Sequence, residues 1–305
     1  MAGITHSAFR RLVAQFGGYS ALYTEMLPTH SLLSEKFTSS PFTQRRPEEG
    51  RVIYQIVVTG RASLDDAIQR LKTFNPYAID INLGCPAPMV SRKGGGKALY
   101  DDVERLEAVL DTIRRHWQGP LLVKCRLGHE TDHWRQDFLQ RLELFHRFGI
   151  DALCLHPRFF HEKLKRKARW DEFRWVKEHT VLPLIGNGDM VDKRALTLFK
   201  QGDCDGLMIG REAVRRPWVF QVLSGEDAAI NYWSVWEQFY RFTHDDFPPE
   251  RTLGRIKEFT TYFADNFMFG HELFRKVQPA ESSEVAYERA RAFLCASPAP
   301  ATVRR

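Results

Sequence analysis

Short apolar, β-branched stretches recur along the chain, each followed by a longer stretch with helical spacing. This alternation restricts the fold more than any other feature. Strands read at residues 20–24, 52–57, 78–82, 121–125, 152–156, 182–186 and 206–209. Helices read at 6–16, 63–74, 102–116, 134–148, 170–178 and 193–201. Ser63 and Asp192 stand as caps ahead of helical runs, and Gly17, Asn75, Gly149 and Gly202 sit just past helix ends. Strands alternating with helices call for a parallel sheet covered by helices. The runs LLVKC and GLMIG are apolar on both faces, as such burial requires. Seven strands at intervals of roughly 24–43 residues point to a (β/α)8 TIM barrel more than to a doubly wound sheet.

An eight-stranded barrel needs an apolar strand ahead of the first helix, whereas the chain passes from Met1-Ala2-Gly3 almost directly into one. The expectation is a barrel lacking its first strand, through a truncated or late start. An open seven-stranded sheet is the alternative. After about residue 223 the strands stop, and 228–245, 250–263, 271–277 and 284–294 read as helices with one apolar stripe. This divides the chain into a barrel domain at 1–223, a small all-helical domain at 224–297 and a frayed tail at 298–305.

Composition narrows the class. Apolar residues at 43% and charged residues at 27% are those of a folded chain, not a disordered one. No run approaches the roughly 18 apolar residues of a membrane span, and no secretory leader opens the chain. The five cysteines, Cys85, Cys125, Cys154, Cys204 and Cys295, are scattered without a C-x-x-C pair, so neither a zinc site nor a disulfide framework is indicated. Free thiols in a reducing cytoplasm, with no metal, follow. With 44 Lys+Arg against 38 Asp+Glu, the net charge of +6 permits an anionic partner without naming one.

Barrel chemistry gathers at the C-terminal ends of the strands. Those positions here are Glu25, Gln55, Asn82, Cys85, Lys124, Arg126, His156, Asn187 and the pair Gly210 and Arg211. Cys85 lies in a Gly/Pro-constrained turn, where a thiol acts as acid or nucleophile, or is merely a small inert residue. Lys124 and Arg126 alternate along one strand and so face the same side, which suits an anionic or electron-rich ligand. His156 is a partner for that ligand or a satisfied core histidine. The turns at Gly186-Asn187-Gly188-Asp189 and Gly210-Arg211 offer backbone N–H groups suited to a phosphate.

These residues resemble the tRNA-dihydrouridine synthases, flavin-dependent (β/α)8 enzymes with a helical C-terminal domain. The resemblance runs in order through MAGIT and FRRL, TEM at 24–26, Gln55, the D-x-N-x-G-C-P run at 80–86 and the glycines 94–96. It continues through VKCRLG at 123–128, His156, GNGD at 186–189, DGLMIGR at 205–211 and Pro217-Trp218. It implies FMN held by Gln55, Lys124, His156, Asn187, Gly188, Gly210 and Arg211, the last two turns taking its phosphate. It further implies Cys85 as the acid that protonates C5 of a uracil, Asn82 and Arg126 on that uracil, and NADPH as reductant. The partner implied is tRNA, whose uridine must leave its stack; a monomer is the simpler expectation.

Basic runs rim the expected mouth: Lys163, Lys165, Arg166, Lys167 and Arg169, with Phe159, Phe160 and Trp170 nearby; Arg92, Lys93 and Lys97; Arg215 and Arg216. Arg255, Lys257, Arg275 and Lys276 extend the track. Such runs are solvated faces or RNA contacts. The chain departs from the family at His156-Pro157-Arg158-Phe159, where His-Gly-Arg-Thr is usual, and Pro157 removes a backbone N–H. It departs again in the absent first strand, whose end supplies part of the flavin floor in the family. Two other readings stand beside the first: a small-molecule flavin barrel resembling dihydroorotate dehydrogenase, and a non-catalytic RNA-binding barrel.

Overall fold

The computed structural model describes residues 3–60, 63–162, 164, 166–191, 193–226, 229–296 and 298–301. Met1 and Ala2 of the opening motif, Lys163 and Lys165 of the basic loop, the Asp192 cap, Ala228, Ser297 and the tail from 302 lie outside the described residues. The chain packs as two compact units. One comprises Met26–Glu35 and Val52–Ile209; the other takes in Lys36–Arg51 with the chain up to Glu25 and from Gly210 onward. The second thus gathers N-terminal segments with the C-terminal helices and begins ahead of the residue-223 boundary expected from sequence.

In the first-named unit, β2 (Leu27–Pro28), β3 (Val52–Val57), β4 (Ala78–Asn82), β5 (Leu121–Arg126), β6 (Ala152–His156), β7 (Leu184–Asn187) and β8 (Gly206–Met208) pair in sequence order, every pair parallel. The other unit holds the two-residue β1 (Leu22–Tyr23). A strand order without reversal is that of a (β/α)8 barrel; a doubly wound sheet reverses at a switch point. Helices Leu64–Lys72, Val103–His116, Trp134–Arg147, Asp171–Glu178 and Ala195–Lys200 connect successive strands from β3 to β8. Val103–His116 shows why: Asp102 caps it through Arg105 N–H at 3.1 Å, and Leu106, Val109, Leu110 and Ile113 bury one stripe. Ser63 caps its helix in the same way, through Asp66 N–H at 3.2 Å.

Gly17, Asn75, Gly149 and Gly202 adopt the left-handed backbone, with φ of 67°, 45°, 61° and 76°, as expected of helix ends. The strand expected at 182–186 begins later, at Leu184, because Pro183 has no N–H to give the ladder. Its Asn187 instead pairs in register with Met208. Short helices at Thr29–Leu32, Pro88–Ser91 and Lys97–Asp101 were not legible, being too brief to show a period. Among the described residues no helix is long and apolar enough to cross a membrane.

The other unit packs Ser7–Ala14 with Tyr232–Asp246, Pro249–Phe263, Gly270–Val277 and Ser283–Leu294. Its core is aromatic: Trp236, Phe239, Phe259 and Phe263 are fully buried, and Phe239 stacks on Phe259 at 4.0 Å. The tail expected to fray is tied down over its described part. Met268 N–H donates to the Ala299 carbonyl at 3.1 Å and Ala301 N–H to that of Asn266 at 2.7 Å.

Candidate active site

In a parallel ladder, registered residues face the same side, and sides alternate along each strand. Register pairs Gln55 with Asp80, Asn82 with Lys124, Lys124 with Cys154, Arg126 with His156 and Cys154 with Ile185, two residues before Asn187. Gln55, Asp80, Asn82, Lys124, Arg126, His156 and Asn187 therefore share one face of the sheet. A charged, amide-lined surface on otherwise apolar strands is costly to bury without a ligand or internal partners.

Internal partners serve the amides. Gln55 Nε2 donates to Asp80 Oδ2 at 2.6 Å, and Asn82 Nδ2 donates to Gln55 Oε1 at 3.0 Å. Asn82 Oδ1 then accepts from Gly84 N–H at 3.1 Å and Cys85 N–H at 2.9 Å. Because the carboxylate only accepts, both amides are oriented and the Cys85 turn is anchored. Lys97 N–H closes the other side of the turn on the Cys85 carbonyl at 2.9 Å. Gly96 is required there: at φ 57°, a Cβ would lie 2.5 Å from that carbonyl oxygen.

Cys85 is half-buried with a free thiol, whereas Cys125, Cys154 and Cys204 are buried. Burial pushes the Cys154 and Cys204 thiols up to about 12, which makes them poor acids and poor nucleophiles at neutral pH. Cys85 lies close enough to Arg126 for their charges to interact. Lys124 is half-buried, and among the described residues its ammonium makes no hydrogen bond or ion pair. Its charge acts on Asp80.

Asp80 is fully buried, and among the described residues its Oδ1 has no hydrogen-bond partner. Desolvation lifts its pKa from 3.8 to about 6, against the Gln55 hydrogen bond and the Lys124 charge. A carboxyl whose folded pKa exceeds its unfolded one supports stability at low pH and loses that support as pH rises through the folded value. Compared with Asp80→Asn, the natural protein should therefore gain about 2 kcal/mol on going from pH 7.5 to 4.5. Urea midpoints at the two pH values measure this; an unchanged difference between the two proteins would refute it.

His156 and Arg158 are both buried, and Arg158 Nη1 lies 2.7 Å from His156 Nε2. Arg126 is buried too, its Nη1 donating to the carbonyls of Phe159 and Glu162 at 3.3 Å each. Desolvation, then the Arg158 charge, lowers its pKa from the usual guanidinium value. In the turn after β7, Asn187 Nδ2 donates to the Met208 carbonyl at 3.0 Å, and Gly188 takes φ 111° with the His156 ring where a Cβ would stand. Gly210 and Arg211 belong to the other unit, where Arg211 is exposed and starts a short helix ending at Arg215.

The basic loop is less available to RNA than its composition suggests. Buried Glu162 binds the Arg169 guanidinium and lies 3.7 Å from Arg166; Arg169 also pairs with Glu130 at 3.2 Å. Phe159 and Phe160 are buried, so they offer no stacking surface. Arg215 and Arg216 both pair with Glu212. Lys97 pairs with Asp101 at 3.8 Å. Arg92, Lys93 and Lys167 are exposed and, among the described residues, carry no ion pair. The roles of the Asp80 and Glu162 carboxylates, and of the Asp189 side chain, are not legible from sequence. An acidic residue within an apolar strand was the available signal for Asp80.

Residues 1–261 match the family described as Dihydrouridine synthase (Dus). The chain is 33% identical over 222 residues to tRNA-dihydrouridine synthase B of Vibrio parahaemolyticus, covering 72% of this chain and 68% of that one. It is 31% identical over 229 residues to the probable tRNA-dihydrouridine synthase of Aquifex aeolicus, covering 72% and 70%. Among solved structures it is similar to morphinone reductase, with a TM-score of 0.51 at 12% identity, covering 77% of this chain and 85% of that one. It is also similar to an old yellow enzyme homologue from Zymomonas mobilis, with a TM-score of 0.50 at 11% identity, covering 77% and 87%. At such identities these structures speak for the fold.

Proposed function

We propose, from the premise that this chain belongs to the dihydrouridine synthase family, that it reduces the C5–C6 double bond of a uridine in tRNA, with FMN as cofactor and NADPH as reductant. The observation that carries the reading is the Cys85 thiol: half-buried and anchored through Asn82 at the C-terminal end of β4, beside the face that bears Lys124 and His156. That face fits FMN by its donor set. The Lys124 ammonium, without an ion pair among the described residues, offers donors and positive charge to a flat heterocycle rich in acceptors. On the same face, Asp80 Oδ1 is a buried polar atom without a partner among the described residues.

When bound, FMN reduced by NADPH would supply the hydride for C6. The chain supplies the rest. Cys85 Sγ holds the proton destined for C5, and the Asn82 oxygen keeps its backbone in place. Asn82 and Arg126 would face the uracil; Gln55, Lys124, His156, Asn187 and Gly188 would hold the flavin. Exposed Arg92 and Lys93, in the loop that carries Cys85, meet the RNA backbone. A cytoplasmic location is part of the proposal, and the free thiols agree with it.

The test is the visible spectrum after reconstitution with FMN. The protein should turn yellow, bleach anaerobically with NADPH, and regain its colour on adding tRNA that lacks dihydrouridine. A protein that stays colourless would remove the flavin assignment. One that bleaches but is reoxidised only by small enones would be a small-molecule reductase.

A further inference from the structure

Arg158 is among the largest fully buried side chains in the molecule, yet hydride and proton transfer give it nothing to do. Its guanidinium makes three kinds of contact. Nη1 reaches His156 Nε2 at 2.7 Å, Nη2 reaches Asp189 Oδ2 at 2.6 Å, and Nε donates to the Arg166 carbonyl at 2.8 Å. Asp189 Oδ2 also accepts from Ala168 N–H at 2.8 Å. Asp189 itself holds φ 54°, a backbone conformation that few residues other than glycine adopt, so its turn needs outside support. Trp170 adds some by donating from Nε1 to the Gly188 carbonyl at 3.0 Å.

We infer that Arg158 is a positioning residue that clamps the end of β6 to the turn after β7 and dictates the tautomer of His156. A guanidinium has donors and no acceptor. The 2.7 Å contact is therefore a hydrogen bond only if His156 Nε2 is the acceptor, which puts the ring proton of the neutral imidazole on Nδ1. The same side chain orients Asp189 and, through the Gly188 turn, the residue next to Asn187. His156 and Asn187 are thereby set relative to each other by one buried cation with one carboxylate partner. Lysine would not substitute, since a single ammonium lacks the planar fork that meets both partners at once. The role in holding FMN rests on the function proposed above; the tautomer does not.

The experiment reads both on flavin-free and FMN-reconstituted protein. In protein carrying 15N-labelled histidine, long-range proton–nitrogen spectra show which ring nitrogen of His156 bears the proton, its signal identified by loss in His156→Gln. The expected result is an Nδ1–H ring in the natural protein without flavin, and loss of that preference in Arg158→Met and Arg158→Lys. FMN affinity should fall about tenfold in both variants, as loss of a buried charged hydrogen bond implies. An Nε2–H ring in the natural protein overturns the inference without any variant having to fold. Folded variants that bind FMN as tightly as the natural protein overturn the positioning role. If the natural protein binds no FMN, the cofactor reading fails, and the tautomer still decides the clamp.

Discussion

Cys85→Ala loses about 10²- to 10⁴-fold in turnover with tRNA, the range typical of a general acid, and keeps its flavin. Flavin binding survives because the anchoring of the turn uses backbone atoms. Asn82 Oδ1 accepts from Gly84 and Cys85 N–H, and Lys97 N–H meets the Cys85 carbonyl, all of which alanine preserves. The loss should fall on one half-reaction. Bleaching by NADPH proceeds at the natural rate, whereas recovery of colour with tRNA becomes slow. None of the three thiols in or beside the strands stands in for it, since Cys125 and Cys154 are fully buried, Cys204 nearly so, and all three hold their protons far above neutral pH. Stopped-flow absorbance measures the two halves separately. Natural reoxidation by tRNA in the variant would remove Cys85 from the chemistry.

Arg10→Met destabilises the protein by about 3–5 kcal/mol, the cost of stranding a buried charge. Arg10 and Glu49 meet at 2.5 Å with side chains 1% and 0% exposed. Arg10 also donates to the Thr5 carbonyl at 2.8 Å and to that of Gln44, so one side chain ties the N-terminal segment to the 36–51 segment of its unit. Without it, Glu49 keeps the Arg46 N–H at 2.8 Å and no buried countercharge. Desolvation already raises the Glu49 pKa, with Arg10 the main influence opposing it. Removing Arg10 raises it further, so the variant's folded state takes up a proton before its unfolded state does. The penalty is then largest near neutral pH and shrinks as pH falls toward the unfolded carboxyl value. Urea unfolding measures it. Arg10→Met combined with Glu49→Gln should recover much of the loss, and a single-variant loss under 1 kcal/mol would show the pair to be dispensable.

The strands β3, β4 and β6, the helix at 103–116 and the left-handed residues Asn75, Gly149 and Gly202 were legible from sequence, because periodicity and turn chemistry are local properties. The alternation of Lys124 and Arg126 likewise placed both cations on one face without any knowledge of what lies opposite. Partner choice is a different kind of information. The loop around Arg169 reads as a basic RNA-facing run, but Glu162 and Glu130 are brought against it by folding and neutralise much of it. Arg158 has no legible partner until the turn after β7 delivers Asp189, 31 positions along the chain, to its guanidinium. Asp80 and Gln55 are 25 residues apart, and only the registered pairing of β3 with β4 makes them neighbours. The order of strands and helices, and the residues at the strand ends, were thus determined by the sequence itself, through spacing along the chain. Which charges cancel, which amides are oriented and which of the strand-end thiols remains reachable were decided by the tertiary structure, because those depend on burial and on partners distant in sequence.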